Sequence, residues 1–140
     1  MADHFVNLHI INRTDIKFTP VASWFDSGHL DDEQEITIPK RGDVTIPFYP
    51  DGAGVSGFLT WWTDDEVAVC IAFSNPLVGH NKLDISVTDN ISMTDKELWD
   101  NMDYHNYQPF DKDLDSQLKA HCSCTGGGTN NAKIILENNS

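Results

Sequence analysis

The sequence predicts a mainly β protein, a β-sandwich of about ten short strands with one flanking α-helix, in a single domain spanning 1–140. Three observations carry that expectation. Apolar residues alternate with polar or small ones in run after run. Clusters of Gly, Pro, Asn and Asp punctuate those runs at short intervals. Thr94-Asp95-Lys96-Glu97 has the form of a capping box and opens the one convincing helical stretch.

The elements follow in order. His4 to Asn12 alternates, with Val6, Leu8 and Ile10 on one face and Asn7 and His9 on the other, and Asn12-Arg13-Thr14-Asp15 ends it. Val21 to Phe25 reads as a second strand, running through Asp26-Ser27-Gly28-His29 into an acidic loop at Asp31-Asp32-Glu33. Ile36 and Ile38, then Val44, Ile46 and Phe48, read as a hairpin about the turn Pro39 to Asp43. That turn contains Arg41-Gly42-Asp43, the triplet of integrin-type adhesion motifs; a tight turn asks for Gly-Asp equally, and the turn reading is preferred.

The centre of the chain is Gly54 to Pro76. Phe58–Trp62 and Val67–Phe73 flank the polar turn Thr63-Asp64-Asp65-Glu66. Val67, Val69, Ile71 and Phe73 alternate with the small residues Ala68, Cys70 and Ala72, so both faces of this hairpin are expected to be buried. A Gly-Ser-Gly bend is expected to open it, and Ser74-Asn75-Pro76 to close it. Leu77 to Asn81 reads as a loop and Lys82 to Thr88 as a strand. The helix is expected from Thr94 to about His105, with Leu98 and Met102 facing the sheet. Pro109 and the acidic residues Asp111, Asp113 and Asp115 break the pattern. Gln117–Cys122 and Ala132–Leu136 read as closing strands joined by Gly126-Gly127-Gly128.

Charge excludes some functions. The 140 residues hold 9 Lys+Arg against 22 Asp+Glu, a formal net charge of −13. Nucleic-acid affinity rests largely on neutralising phosphates with Lys and Arg, so no nucleic-acid partner is expected. Strongly anionic lipid is disfavoured for the same Coulombic reason, whereas neutral or zwitterionic partners stay open. No apolar run approaches the roughly 18 residues of a membrane-spanning helix. His4, Asn7 and His9 interrupt the first apolar run, so no signal peptide is expected. Three cysteines cannot all pair within one chain, which suits a reducing compartment and cytoplasmic synthesis, with action at a target-cell membrane surface.

Catalytic signatures are scarce. Ser74 lacks the strand–Gly-x-Ser-x-Gly–helix setting of a hydrolase nucleophile, and the carboxylates form no isolated pair in an apolar run. His121-Cys122-Ser123-Cys124 holds good zinc ligand types, but the second half of a closed site is missing and alternation turns His121 away from the thiols. No enzyme activity, metal or cofactor is expected. The aromatic residues are more suggestive. Trp99 and the Tyr104-His105-Asn106-Tyr107 end of the helix lie off its apolar stripe, and surface Trp and Tyr serve sugar stacking, choline cages and membrane interfaces; edge packing is the competing reading.

Five segments, taken together and in order, carry a resemblance: Phe25-Asp26-Ser27-Gly28, Gly54-Val55-Ser56-Gly57-Phe58-Leu59, Phe73-Ser74-Asn75-Pro76, Trp99 through Tyr104 followed by Pro109-Phe110, and Ala132 to Glu137. The chain resembles the actinoporins, small cytolysins of sea anemones, and their actinoporin-like relatives, which share a β-sandwich with fungal fruit-body lectins. The resemblance implies a phosphocholine headgroup site at Ser27, Ser74, Pro76, Trp99 and Tyr104. Hydroxyls would bond phosphate oxygens and rings would face the trimethylammonium group. The chain departs from the family at several positions. Ser56 stands where the family has an apolar residue, and Asp103 where it has a tyrosine. Leu77 to Asn81 lacks the family's Trp and Tyr, and only Met1, Ala2 and Asp3 precede the first strand, too few for the family's pore-forming helix. The resemblance therefore implies a non-enzymatic module that binds a polar membrane headgroup. A sugar-binding lectin of fruit-body type is the first alternative. A cytolysin that uses a partner chain or another insertion segment is the second. Homo-oligomerisation stays open.

Overall fold

The computed structural model describes residues 4–30, 36–63, 67–77, 79–88 and 109–139. Ten strands occupy them: β1 (Phe5–Asn12), β2 (Thr19–Ser27), β3 (His29–Leu30), β4 (Asp43–Tyr49), β5 (Gly54–Trp62), β6 (Ala68–Pro76), β7 (Lys82–Thr88), β8 (Phe110–Asp113), β9 (Leu118–Ser123) and β10 (Thr129–Asn138). They form two sheets, one in the order β3-β4-β1-β10-β9-β8 and one in the order β2-β5-β6-β7. The mainly β, sandwich-like fold expected from alternation is therefore what the chain adopts. The expected helix at Thr94–His105 lies outside the described residues.

Alternation explains the core. Val6, Leu8 and Ile10 of β1, Ile46 and Phe48 of β4, and Ala132, Ile134 and Leu136 of β10 face one way and are buried. They meet Val55, Leu59 and Trp61 of β5, Val69, Ile71 and Phe73 of β6, and Leu83 and Ile85 of β7. Across the gap the rings of Phe48 and Phe73 stack with centroids 4.1 Å apart, and Phe25 tilts against both at 5.9 and 6.1 Å. The β5–β6 hairpin is the middle of its sheet, and its other face is buried as well, with Phe58, Thr60, Cys70 and Ala72 at 1 % exposure or less. Small residues between β-branched ones made that double burial foreseeable.

Five local expectations are corrected. Ile36–Ile38 does not form a hairpin with Val44–Phe48: Ile38 bridges Phe18, while β4 pairs antiparallel with β1 and β3. The turn itself is present, with Gly42 N–H donating to Pro39 C=O. Phe110–Asp113 is a strand, because β9 offers it an edge and Asp111 sits opposite His121. His29–Leu30 pairs with Tyr49 and Phe48 instead of running on as a loop. Gly54-Val55-Ser56-Gly57 is not a bend but the first half of β5. Gly57 is needed there because β2 passes close above it: a Cβ would lie 2.4 Å from the Trp24 carbonyl oxygen. The last strand also starts three residues early, at Thr129, and runs parallel to β1.

Candidate functional site

Three serines on adjacent strands fall in one row. Ser27 of β2 is in register with Ser56 of β5, and Ser56 with Ser74 of β6. Neighbouring strands lie about 4.8 Å apart, so the hydroxyls form a short ladder across the sheet. A register shift between Phe25 and Ser27 creates it. Phe25 points into the core opposite Gly57, and one extra residue, Asp26, turns Ser27 to the face that Ser56 and Ser74 share. Gly28 follows at φ 79 and donates its N–H to the Asp51 carboxylate at 2.9 Å, which pins the end of the bulge. That bond and a second from the Ala53 N–H hold the Asp51 carboxyl below its ordinary range.

The row is held from behind. Phe73 stands next to Ser74 and stacks on Phe48, so the backbone that carries the hydroxyl is anchored in the core. Asn130, itself buried, donates its amide N–H to the backbone carbonyls of Ser74 and Lys82, and Lys82 of β7 continues the row beyond Ser74. Asn75 donates to the carbonyls of Phe5, Gly127 and Gly128, tying the end of β6 to β1 and to the glycine loop. Asn81 holds the same loop through the carbonyls of Thr125 and Gly127.

The hydroxyls are poised but not spent. Ser27, Ser56 and Ser74 are 9, 8 and 5 % exposed. Ser74 Oγ is buried and has no hydrogen-bond partner. Among the described residues neither Ser27 nor Ser56 spends its hydroxyl on a protein partner. A buried hydroxyl without a partner costs about 1–3 kcal/mol. Pro76, two residues beyond Ser74, lies opposite Gly54 and is half-buried. Of the residues named from sequence, Ser27, Ser56, Ser74 and Pro76 are brought to one end of one sheet. Trp99, Asp103 and Tyr104 lie outside the described residues.

Other candidates resolve differently. A cavity of about 560 Å³ opens between β2, β3 and β5, lined by Phe25, Leu30, Ile36, Leu59 and Trp61 among others. It is on the core side of β2, and Ser27, Ser56 and Ser74 do not line it. In the Arg41-Gly42-Asp43 triplet, Arg41 (φ 54) gives two bonds to the Asp15 carboxylate and one to the Arg13 carbonyl, and Asp43 pairs with His9. The triplet is thus engaged with β1 and the segment that follows it. His121 faces away from Cys122 and Cys124, as alternation predicted, and bridges Asp111 and Glu137 at 2.6 and 3.0 Å. The two thiols are buried and free, and burial pushes Cys122 up to about 12 and Cys124 to about 11. Among the described residues no group of three or more His, Cys, Asp or Glu could hold a metal, and no helix is long and apolar enough to cross a membrane.

Sequence reasoning missed one buried charge. Asp84 of β7 is fully buried; its Oδ1 accepts from the Ile85 N–H at 2.8 Å and from Lys112 of β8 at 3.2 Å. The ion pair links the edge strands of the two sheets. The only sequence signal was an Asp among Leu83, Ile85 and Val87.

The same fold occurs in characterised proteins. The lipid-binding protein Nakanori superposes with a TM-score of 0.75 at 17% identity, over 98% of this chain and 72% of that one. The lectin XCL of Xerocomus chrysenteron superposes with a TM-score of 0.58 at 16% identity, over 98% of this chain and 100% of that one. The fold is consistent with the actinoporin-like architecture that the sequence resembles. No protein-family profile matches the chain, and no curated protein matches it by sequence.

Proposed function

We propose that this chain is a non-enzymatic recognition protein that binds a phosphocholine-type headgroup at the Ser27–Ser56–Ser74 end of the four-stranded sheet. The observation that carries the reading is the ladder of unspent hydroxyls, above all the buried, unpartnered Oγ of Ser74. Hydroxyl donors at strand spacing suit the oxygens of a phosphate diester, and Lys82 stands next along the row. Trp99 supplies a stacking face and Tyr104 a further hydroxyl, by the resemblance. By the resemblance, Asp103 in place of the family's tyrosine removes a ring and adds repulsion for phosphate. A zwitterionic headgroup is compatible with a net charge of −13, whereas an anionic one pays repulsion. The fold shared with a lipid-binding protein supports the reading.

The test is sedimentation with liposomes that contain or lack sphingomyelin. Sphingomyelin-dependent binding that falls in Ser74→Ala and in Trp99→Ala is expected. Equal binding to both liposomes, unchanged in the variants, would sink the reading. The fold shared with a lectin favours a second reading, because the same hydroxyl row can bond sugar hydroxyls. Haemagglutination inhibited by a simple sugar, without lipid dependence, would select that alternative.

A further inference from the structure

The serine row lies on the outer face of the four-stranded sheet, and the cavity of about 560 Å³ lies behind the same edge strand, between the sheets. Strand register builds that cavity. Pro20 pairs with Trp61, Ser23 with Leu59 and Phe25 with Gly57; Trp61 and Leu59 belong to the core, so these β2 residues face inward. The register shift between Pro20 and Ala22 leaves Val21 as the extra residue, 42 % exposed on the cavity lining. Leu30 of β3, from the other sheet, and Ile36 complete the apolar lining.

The walls are fixed by the fold itself. Trp61 donates its Nε1–H to the Ile36 carbonyl at 2.8 Å, Ile38 bridges Phe18, and Leu30 pairs with Phe48. Phe25, Leu30 and Ile36 pack against the core yet stay only half-buried, so apolar surface faces the cavity. The opposite side of the sandwich differs. There Asp84 and Lys112 tie together the edge strands β7 and β8. β2 and β3 are edge strands too, but among the described residues no ion pair joins them.

We propose that this cavity is a second binding site, separate from the serine row, for an uncharged, mainly apolar molecule of drug size. The volume fits, since ligand pockets span about 300–1,000 Å³ and carry a mostly apolar lining with a few polar groups. Charge selects the occupant. No Asp, Glu, Lys or Arg lines the cavity, although 22% of the chain is charged. An ion entering it would lose hydration without gaining a partner of opposite sign, and an anion would also meet the net charge of −13. One polar group is on offer. The Ser23 hydroxyl sits at an inward-facing position and, among the described residues, is spent on no protein partner. It can give or accept one hydrogen bond and so orient a ligand that carries a single polar group. Of the other polar lining residues, Thr60 is bonded to Cys70 and the His29 ring stacks on Tyr49.

The test uses two fluorescent probes that differ by one charge, the uncharged phenylnaphthylamine and its sulfonated counterpart, anilinonaphthalene sulfonate. Titration of the native protein at about pH 7.5, where an ordinary histidine is neutral, should show one saturable site for the uncharged probe. The sulfonate should bind at least about tenfold more weakly. Ser23→Phe fills the cavity from an exposed position on the edge strand and should weaken the uncharged probe by at least about tenfold. Leu30→Trp fills it from the β3 side and should do the same, and melting curves establish that each variant is folded. Soluble phosphocholine should not displace the probe. No binding of the uncharged probe, equal affinity for both probes, or full binding by both folded variants overturns the proposal. Displacement by phosphocholine would put the probe at the serine row and overturn it as well. A dimer in analytical sedimentation that both variants split, with no probe bound, would assign the cavity to a second copy of the chain and overturn the small-molecule site. Failure of phosphocholine to bind bears on the serine row alone, because none of Ser27, Ser56 and Ser74 lines the cavity.

Discussion

Ser56 of β5 lies directly opposite Ser74 of β6, and the hydroxyl of Ser74 is buried there without a partner. Native interiors seldom leave such a group unpaired, and the exceptions call for a reason. A ligand oxygen that completes the hydrogen bond is the reason advanced here. Ser74→Ala removes the unsatisfied group and should leave the unliganded protein as stable, or more stable by about 1 kcal/mol. Phosphocholine binding should fall in the same variant. Thermal melting with and without phosphocholine separates the two effects; a variant that is destabilised without ligand would contradict the account.

Phe73 anchors the row from the core side. Its ring stacks on Phe48 at 4.1 Å and touches Phe25, and none of its surface is exposed. Phe73→Ala should cost about 3–5 kcal/mol, through lost burial and the cavity left between the sheets. Denaturant unfolding monitored by tryptophan fluorescence measures it.

His121 bridges Asp111 of β8 and Glu137 of β10, and Glu137 also receives Arg13. Both ring nitrogens face carboxylates, which accept only, so the bridge is complete when the imidazole carries two protons. The hydrogen bonds to Asp111 and Glu137 raise His121 above its ordinary 6.5, and those from His121 and Arg13 lower Glu137 below 4.5. The sign follows for each group. The His121 contribution is full below about pH 6.5 and fades as pH rises through its raised folded value. The Glu137 contribution is present above about pH 4.5 and fades as pH falls through its lowered folded value. The melting-temperature difference between wild type and His121→Gln should therefore be greatest near about pH 5.5 and shrink by about pH 9. A difference that grows towards alkaline pH would contradict the bridge.

Cys70, Cys122 and Cys124 are free and buried, and burial raises all three thiols. Thiolate is the reactive form, so a thiol reagent at about pH 8 should titrate almost none of them in the native protein and all three in denaturant. Prompt reaction of the native protein would show that the β9 end opens.

Local pattern revealed what local chemistry controls. The β5–β6 hairpin was legible because Val69, Ile71 and Phe73 alternate with Ala68, Cys70 and Ala72, and only a strand buried on both faces wants that composition. β8 was not legible, because Phe-Asp-Lys-Asp has no strand preference of its own and exists through pairing with β9 and the Asp111–His121 contact. Ile36–Ile38 suggested a hairpin because turn residues follow it, but β1 takes that side of β4. The parallel pairing of β1 with β10 joins the two ends of the described chain, and no short window of sequence encodes it. Of the site, the resemblance supplied the serine positions, while the Asp26 bulge that turns Ser27 towards Ser56 could not be read from alternation, which would place Phe25 and Ser27 on one face.

The central claim is that the serine row receives the phosphate of a choline headgroup. Calorimetric titration of soluble phosphocholine into the wild-type protein and into Ser27→Ala/Ser74→Ala tests it most directly, free of any membrane effect. The account predicts saturable one-site binding to the wild type that is lost in the double variant while its melting temperature is kept. Equal binding to both proteins, or no heat with the wild type at any concentration that saturates a millimolar site, would contradict it.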